Sequence, residues 1–565
     1  MLVGIYFFSA FLFYWIVNRP FVKLVCHQDA GWHAYWAASR NKGVDLRQQL
    51  NILMGCARIG SMYPYLLWFK LFGIQNPEFI SRKVFLVLNC CTSVILFFAL
   101  RVFIPEQTIL SFLIPFVYLL FSSNPFWGIH YETSERTTNF INAIIFLLVS
   151  FFLVIPNGYL LGVVVFLMFL SAVFFKVTQL VEYFGIWLFM IYTWKMIYLP
   201  VSMIGAAVAL AIFYFFLKSK GLWVRENLGI FGYISLNYKK SSDTIKDIER
   251  KIETWVNNAA LKKVLKLLVN KIEGKRYEKI ISNMLVAGGK ISYRLRYFGS
   301  NIFCSSRSVI LWSCLGLFLT PHFRSAEYFA VFWLIGCFIN IFLQGKFLPF
   351  HYIPSLIPLS ILSGLGLYKI WLGTTAYNWW SWILYSFIAV ILYMDLKYIL
   401  SIFFVRDSTP LDYKLWTNSD REMIEKNFAA CEIINYIKEN TSEDDYIFVW
   451  GCVPQLHVLC QRRSPIGWLN TNDSLMSPTF PEWKKVMLLN LIKTTPKFLI
   501  QFEKDLNLTV LEEATGLRYK FDRTFFKGKY SIFKLYDIIK VDEYKAENYV
   551  DNLYQKIPLC AEYSV

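Results

Sequence analysis

The chain is poor in acids, poorer in histidine, and lacks the motifs of soluble catalysis. Its 565 residues include 39 Asp and Glu and 6 His, against 57 Lys and Arg. No Gly-rich phosphate loop, no convincing Ser/His/Asp set and no nucleic-acid module occurs, which sets aside nucleotide hydrolysis, serine hydrolysis and nucleic-acid recognition. The 11 cysteines form no Cys-x-x-Cys pair, so the common zinc and dithiol frameworks are absent. Most cysteines lie in apolar runs, where a thiol behaves as a small hydrophobe. Four lie in the C-terminal part, and pairing of Cys452 with Cys460 stays open. No cation precedes the first apolar run, and Asn18-Arg19-Pro20 follows it without a small-x-small cleavage site. That run reads as a retained anchor rather than a signal peptide.

Charge is also missing over long stretches. Residues 107–131, 137–175, 347–368 and 370–394 hold no Lys, Arg, Asp or Glu. A helix crossing a bilayer needs about 20 mostly apolar residues. Ile155-Pro156-Asn157-Gly158 breaks the second stretch with turn chemistry, so 137–175 reads as a helical hairpin. With 56% hydrophobic and 19% aromatic residues, the chain is expected to be a polytopic α-helical membrane protein. The spans fall at about 2–17, 84–104, 108–123, 139–155, 158–175, 180–194, 197–217, 308–321, 327–343, 351–371 and 379–403, about 11 transmembrane helices. An odd number puts the termini on opposite sides. With a cytoplasmic N-terminus, residues 18–83, 124–138, 176–179, 218–307, 344–350 and 404–565 share the outer side. The cations run against the positive-inside rule, which governs long loops poorly.

Two segments stand apart. Residues 218–307 carry a net charge of +12, and their Ile, Leu, Val and Trp255 recur at helical spacing between lysines. Such a basic amphipathic loop meets lipid phosphates in the interface plane or packs on the protein's own surface. Residues 404–565 carry a net −2. Short apolar runs at 446–450 and 497–500, a helix at 482–494 and a hairpin pattern at 517–537 predict a C-terminal α/β domain. The expected organisation is a membrane catalytic domain over 1–403, including the first loop 18–83, and this domain over 404–565.

Chemistry has few carriers. Asp29 lies just after the first span in His27-Gln-Asp-Ala-Gly-Trp-His33. An ionised Asp is too costly in hydrocarbon, so it belongs at the interface or in a wet cavity, where it can act as a base or cap a helix starting near Gly31. His33 follows four residues later, on the same face of any helix formed there. Arg58, Lys176 and Lys346 are isolated cations at outer ends of spans, suited to a phosphate or to snorkelling. Glu132 and Glu135 supply further acids beside His130, although pairing of Glu135 with Arg136 is the plainer reading. His351 sits at an outer end with His27, His33 and His130. The His27, Asp29 and His33 spacing is no strong metal signature. Cofactors are therefore none, or a divalent cation recruited with a pyrophosphate substrate.

These residues, in order, resemble the GT-C superfamily of membrane glycosyltransferases, with likeness to bacterial protein O-mannosyltransferases and lipid A aminoarabinose transferases. Asp29, Gly31, Tyr35 and Ala37 are similar to the first-loop acid motif. Arg58, Pro64 and Lys70-Leu-Phe-Gly73 resemble the segment that closes that loop. Phe175-Lys-Val-Thr-Gln179, Gly345-Lys-Phe-Leu-Pro-Phe-His-Tyr352 and Asp444-Asp-Tyr-Ile-Phe-Val-Trp-Gly451 resemble later family segments. The resemblance implies a polyprenyl-phosphate sugar donor and a lipid, glycan or protein acceptor. It implies inversion at the anomeric carbon, Asp29 as base with Glu132 or Glu135 as a second acid, and His33, Arg58, Lys176, Lys346 and His351 binding substrate. It also places the first loop and the tail outside, on an inner or plasma membrane protein whose partners include membrane lipids and no nucleic acid. Many members carry two adjacent acids where this chain has Asp29-Ala30, which leaves metal use open. The rival reading is a polytopic lipid or glycan transporter or flippase. Cysteines introduced as Gly43→Cys and Asn507→Cys are expected to react with an impermeant label from the outside. Labelling of both from the cytoplasmic side alone would reverse the orientation.

Overall fold

A computed structural model describes residues 2–22, 28–41, 60–73, 77–123, 134–155, 157–175, 178–194, 199–219, 311–314, 325–344, 349–373, 432–451, 453–465, 482–502, 506–526 and 528–539, with a few isolated positions besides. The long apolar runs of residues 1–373 become helix wherever they are described, apart from the 3-10 turn at Pro349–Ser355. The helices are α1 (Leu2–Val22), α2 (Gln28–Asn41), α3 (Tyr63–Phe72), α4 (Pro77–Phe103), α5 (Thr108–Ser122), α6 (Ser134–Val154), α7 (Gly158–Phe174), α8 (Gln179–Trp194), α9 (Leu199–Ser219), α10 (Ser325–Gln344) and α11 (Leu356–Gly373). All but α2 and α3 lie on ranges the sequence marks as apolar spans. The expected spans 308–321 and 379–403, and the whole basic loop 218–307, fall almost or entirely outside the described residues.

Boundaries differ for local reasons. Helix α4 begins seven residues before its apolar run, with Pro77 at its first position, where a missing N–H costs nothing and φ is preset. The expected span at 351–371 opens instead as a 3-10 turn over Pro349–Ser355, with Pro354 inside it, and turns α-helical at Leu356. Asn157 caps α7 by accepting from the Tyr159 N–H at 2.8 Å, so the Ile155–Gly158 break is a true helix end.

Among the described residues, segments 83–103 and 136–154 are long and apolar enough to cross a membrane, and five more apolar helices are shorter. The outer surface of the bundle is apolar as well. Phe8, Phe98, Ile155, Met203, Ile204 and Phe215 are exposed, and so large an apolar surface fits lipid rather than water. Inside, Phe146 of α6 stacks on Phe329 of α10 with ring centroids 5.0 Å apart. Trp333 and Phe189 pack edge-on against Phe329.

Glycine brings two helix pairs into backbone contact. A Cβ on Gly336 of α10 would lie 2.7 Å from the Glu182 carbonyl oxygen of α8, and one on Gly185 would collide with the Phe332 carbonyl. Gly205 of α9 faces the Gly162 carbonyl of α7 in the same way. Lipid supplies no hydrophobic drive for helix association, so close van der Waals approach at small residues carries much of the packing.

The C-terminal part forms a four-stranded sheet in the order β1-β2-β4-β3. Its elements are β1 (Ile447–Trp450), α12 (Gln455–Cys460), α13 (Glu482–Thr494), β2 (Phe498–Gln501), α14 (Leu508–Thr515), β3 (Leu517–Phe525) and β4 (Tyr530–Ile538). β1 and β2 run parallel, while β2–β4 and β3–β4 are antiparallel. The strands, α13 and the β3–β4 hairpin lie where the sequence predicts them. Alternation splits β1 between two layers: Phe448 and Trp450 pack with α13 and α14, while Ile447 and Val449 pack with Ile433, Ile437 and α12. Burial on both faces explains why this parallel pair reads as a continuous apolar run. Cys460 is buried, while Cys452, its candidate partner, lies outside the described residues.

The Gly336→Ala variant is expected to lose about 1–3 kcal/mol of stability by overpacking a backbone contact. The control Gly4→Ala, where nothing lies within 4 Å, should unfold like wild type in detergent. Equal melting of the two variants would remove the crossing as a source of stability.

Candidate functional site

Many of the polar side chains buried in the bundle collect at one end, although Glu327, in the first turn of α10, is buried at the other. At the end of α1, Asn18 Nδ2 donates to Ser123 Oγ, just past α5, at 3.1 Å. Tyr14 accepts from Asn89 Nδ2 of α4 at 2.7 Å, and Tyr118 of α5 donates to Asn89 Oδ1 at 3.0 Å. Arg136, in the first turn of α6, is buried and donates through Nη2 to the Ser122 carbonyl at 3.3 Å. Asn139 Nδ2, one turn on, donates to the Ile353 carbonyl at 2.9 Å and so ties α6 to the 3-10 turn that carries His351. At the start of α8, Glu182 accepts from Asn340 Nδ2 near the end of α10. Tyr183 donates to Asn142 Oδ1 at 2.8 Å, and its hydroxyl lies 3.0 Å from Ser171 Oγ. The C-terminal ends of α1, α5, α7 and α10 therefore meet the N-terminal ends of α4, α6 and α8.

The first-loop helices sit on this same end. Ala34, Tyr35, Trp36 and Ala37 of α2 pack with Met62, Tyr65 and Phe69 around Val84 and Phe85 of α4, with Phe174 of α7 and Val458 of α12 alongside. Helix α2 starts at Gln28, not near Gly31, so Asp29 lies inside its first turn. His33, four residues on, is buried with its ring 5.5 Å from that of Trp36. His351 is also buried, on the 3-10 turn between α10 and α11. The two histidines are thus held by different supports.

Arg58, Glu132, Lys176 and Lys346 lie outside the described residues. A Cβ on Gly60 would lie 2.7 Å from the Phe175 ring, so the residues two beyond Arg58 and one before Lys176 touch. In sequence, Glu132 comes two residues before α6, and Lys346 falls between the end of α10 and the 3-10 turn. Among the described residues no three His, Cys, Asp or Glu are grouped to hold a metal ion.

Sequence reasoning passed over Glu182 and read Arg136 only as a partner for Glu135. Each had a signal: Arg136 is the last charge before the charge-free run 137–175, and Glu182 is an acid inside an apolar span. An ionisable residue at such a place is a functional candidate in its own right.

The C-terminal part covers α2. Ser464 N–H donates to the Tyr35 hydroxyl at 2.9 Å, and the Tyr35 and His457 rings lie 5.5 Å apart. Burial pushes the His457 imidazole from 6.5 down to about 3, so it is neutral in the fold. Above pH 6.5 the imidazole is neutral folded and unfolded, and its contribution is complete. Below 6.5 only the unfolded chain takes up the proton. Stability is then expected to fall by about 1.4 kcal/mol per pH unit toward pH 3 on this account. His457→Gln should unfold with a shallower acid slope between pH 7 and 5 than wild type. Identical slopes would show that His457 is not the group responsible.

No protein-family model matches this chain, and no curated protein is similar to it in sequence. Its architecture has a solved counterpart in the crystal structure of ArnT from Cupriavidus metallidurans in the apo state. The match covers 94% of this chain and 97% of that one, with a TM-score of 0.52 and 12% sequence identity. A likeness at that identity speaks for the fold. Near-complete coverage of both chains means that bundle, loop helices and C-terminal sheet follow one another in a shared order. The chain has an ArnT-like fold.

Proposed function

We propose that the protein is a membrane glycosyltransferase that moves a sugar from a polyprenyl-phosphate carrier to an acceptor hydroxyl at the extracytoplasmic face of the inner or plasma membrane. The observation that carries this reading is the seat of α2. The helix bearing Asp29 in its first turn lies on the bundle end where the buried polar groups gather, within an ArnT-like fold. A lipid-borne substrate needs such a place, with its polar head beside the polar end and its tail along the apolar flank.

In this reading Asp29 takes the proton of the acceptor hydroxyl as that oxygen attacks the anomeric carbon. The bond between that carbon and the phosphate oxygen breaks on the opposite side, so the anomeric configuration inverts. The polyprenyl phosphate leaves with the bonding electrons. Arg58, Lys176 and Lys346 would neutralise the phosphate, with His351 as a donor; charges fixed in advance act strongly where water is excluded. Glu132, just ahead of α6, would be the second acid, and His33 would border the substrate. The Gly60–Phe175 contact supports Arg58 and Lys176 as one cationic group.

Asp29→Asn keeps the shape and removes the base. Transfer of label from a polyprenyl-phosphate sugar to acceptors in native membranes should fall by about two to four decades, with normal expression and melting. Wild-type transfer by this variant would reject Asp29 as base. Lipid translocation in proteoliposomes without any sugar transfer would favour a flippase instead.

A further inference from the structure

The short helix α12 is squeezed between two layers. Leu456, Leu459 and Cys460 face the sheet core, while Val458 joins the core around α2 and His457 meets the Tyr35 ring. All six of its residues are buried. The segment behind it is locked as well. Gln461 ends the helix in the left-handed region, with φ 55°. Arg462 is buried and donates to Thr441 Oγ1 at 2.6 Å and to the carbonyls of Cys460, Lys438 and Thr441 at 2.9, 3.2 and 2.6 Å. A strained contact against α12 is therefore relieved by movement of its partner.

That partner is α2, and the contact is made by glycine. A Cβ on Gly31 would lie 2.8 Å from the Gln455 backbone nitrogen and 3.0 Å from its Cα. Separations of this kind are well inside ordinary contact, and the obstacle is main chain, which cannot swing aside. Gly31 follows Asp29 by two residues, a rise of about 3 Å along the helix. Tyr35, one turn further on the same face, receives the Ser464 N–H. Two ties one turn apart fix both the depth and the rotation of α2.

We propose that the C-terminal segment Gln455–Ser464 is the positioning element for Asp29, with Gly31 and Tyr35 as the positioning residues through which it acts. The proposal rests on Asp29 being the base, and it gives the C-terminal part a role in the reaction rather than in covering the site alone. A shift of about 1 Å in a reacting group can cost about a hundredfold in rate. Any side chain at Gly31 imposes a shift of that order.

The test uses the full chain in lipid nanodiscs with a polyprenyl-phosphate sugar donor. It compares Gly31→Ala, Gly31→Val, Tyr35→Phe and Asp29→Asn. Turnover, donor KM, melting and amide hydrogen exchange over residues 28–41 are read for each. Gly31→Val should lower kcat about a hundredfold and Gly31→Ala about tenfold, with donor KM within about twofold and exchange over 28–41 raised. Tyr35→Phe loses one hydroxyl, so its kcat should fall about three- to tenfold at unchanged melting. Should Gly31→Val fail to fold, Gly31→Ala and Tyr35→Phe decide the matter. Wild-type kcat in both, beside an inactive Asp29→Asn, overturns the positioning role and leaves the base reading standing. An active Asp29→Asn overturns both readings of Asp29, while raised exchange in the Gly31 variants still reports the tie between α2 and α12.

Discussion

Hydrocarbon offers no hydrogen-bond partner, and the arrangement of the whole bundle answers that constraint. A polar side chain on a spanning helix must be satisfied by another helix or leave the apolar zone. This chain satisfies them together. Tyr14, Asn18, Asn89, Tyr118 and Arg136 share one network, and Asn142, Ser171, Tyr183, Glu182 and Asn340 form others across α6, α7, α8 and α10. The networks occupy the end on which α2 and α3 rest. The other surfaces can stay apolar because the polar ones are concentrated there. The Gly185–Gly336 and Gly162–Gly205 crossings complement this arrangement with close backbone contact, the first of them one turn from the Glu182–Asn340 bond.

The concentration suits the proposed chemistry. A sugar joined to a polyprenyl phosphate is itself divided into a charged head and a long apolar tail. A protein with one polar end and an apolar flank matches that division without a deep closed pocket. The Asn139–Ile353 bond brings the His351 turn to α6, and the Gly60–Phe175 contact brings the approach to Arg58 beside the approach to Lys176. Elements remote in sequence therefore converge on the end where the acid-bearing helix lies.

Much of the scaffold was legible in the sequence because its signals are local. Charge-free runs mark the helices, Asn157 with Gly158 marks a helix start, and the apolar runs at 446–450 and 497–500 mark the buried parallel strands. The misplaced boundaries also have local causes, in Pro77 and in the prolines of the 3-10 turn. The site was legible only as a set of candidates. His33 and His351 are buried as a shared polar end would require, yet nothing in their spacing assigns them to separate supports. Arg136 looked like a partner for its neighbour Glu135, and only the fold brings it to the Ser122 carbonyl. The seat of Gly31 on Gln455 had no signal at all, since one glycine near an acid does not name the backbone it touches.

The bond between Ser464 and Tyr35 spans 429 residues of sequence. Chains grow at about 5–20 residues per second, so roughly 20–90 s separate the synthesis of the two partners. Throughout that interval α2 exists without the surface that seats it, and Tyr35 and the flank of Gly31 remain uncovered. The order of synthesis thus makes the acid-bearing helix among the first parts made and among the last to reach its final place. A nascent protein cannot hold this geometry until nearly its whole length has emerged.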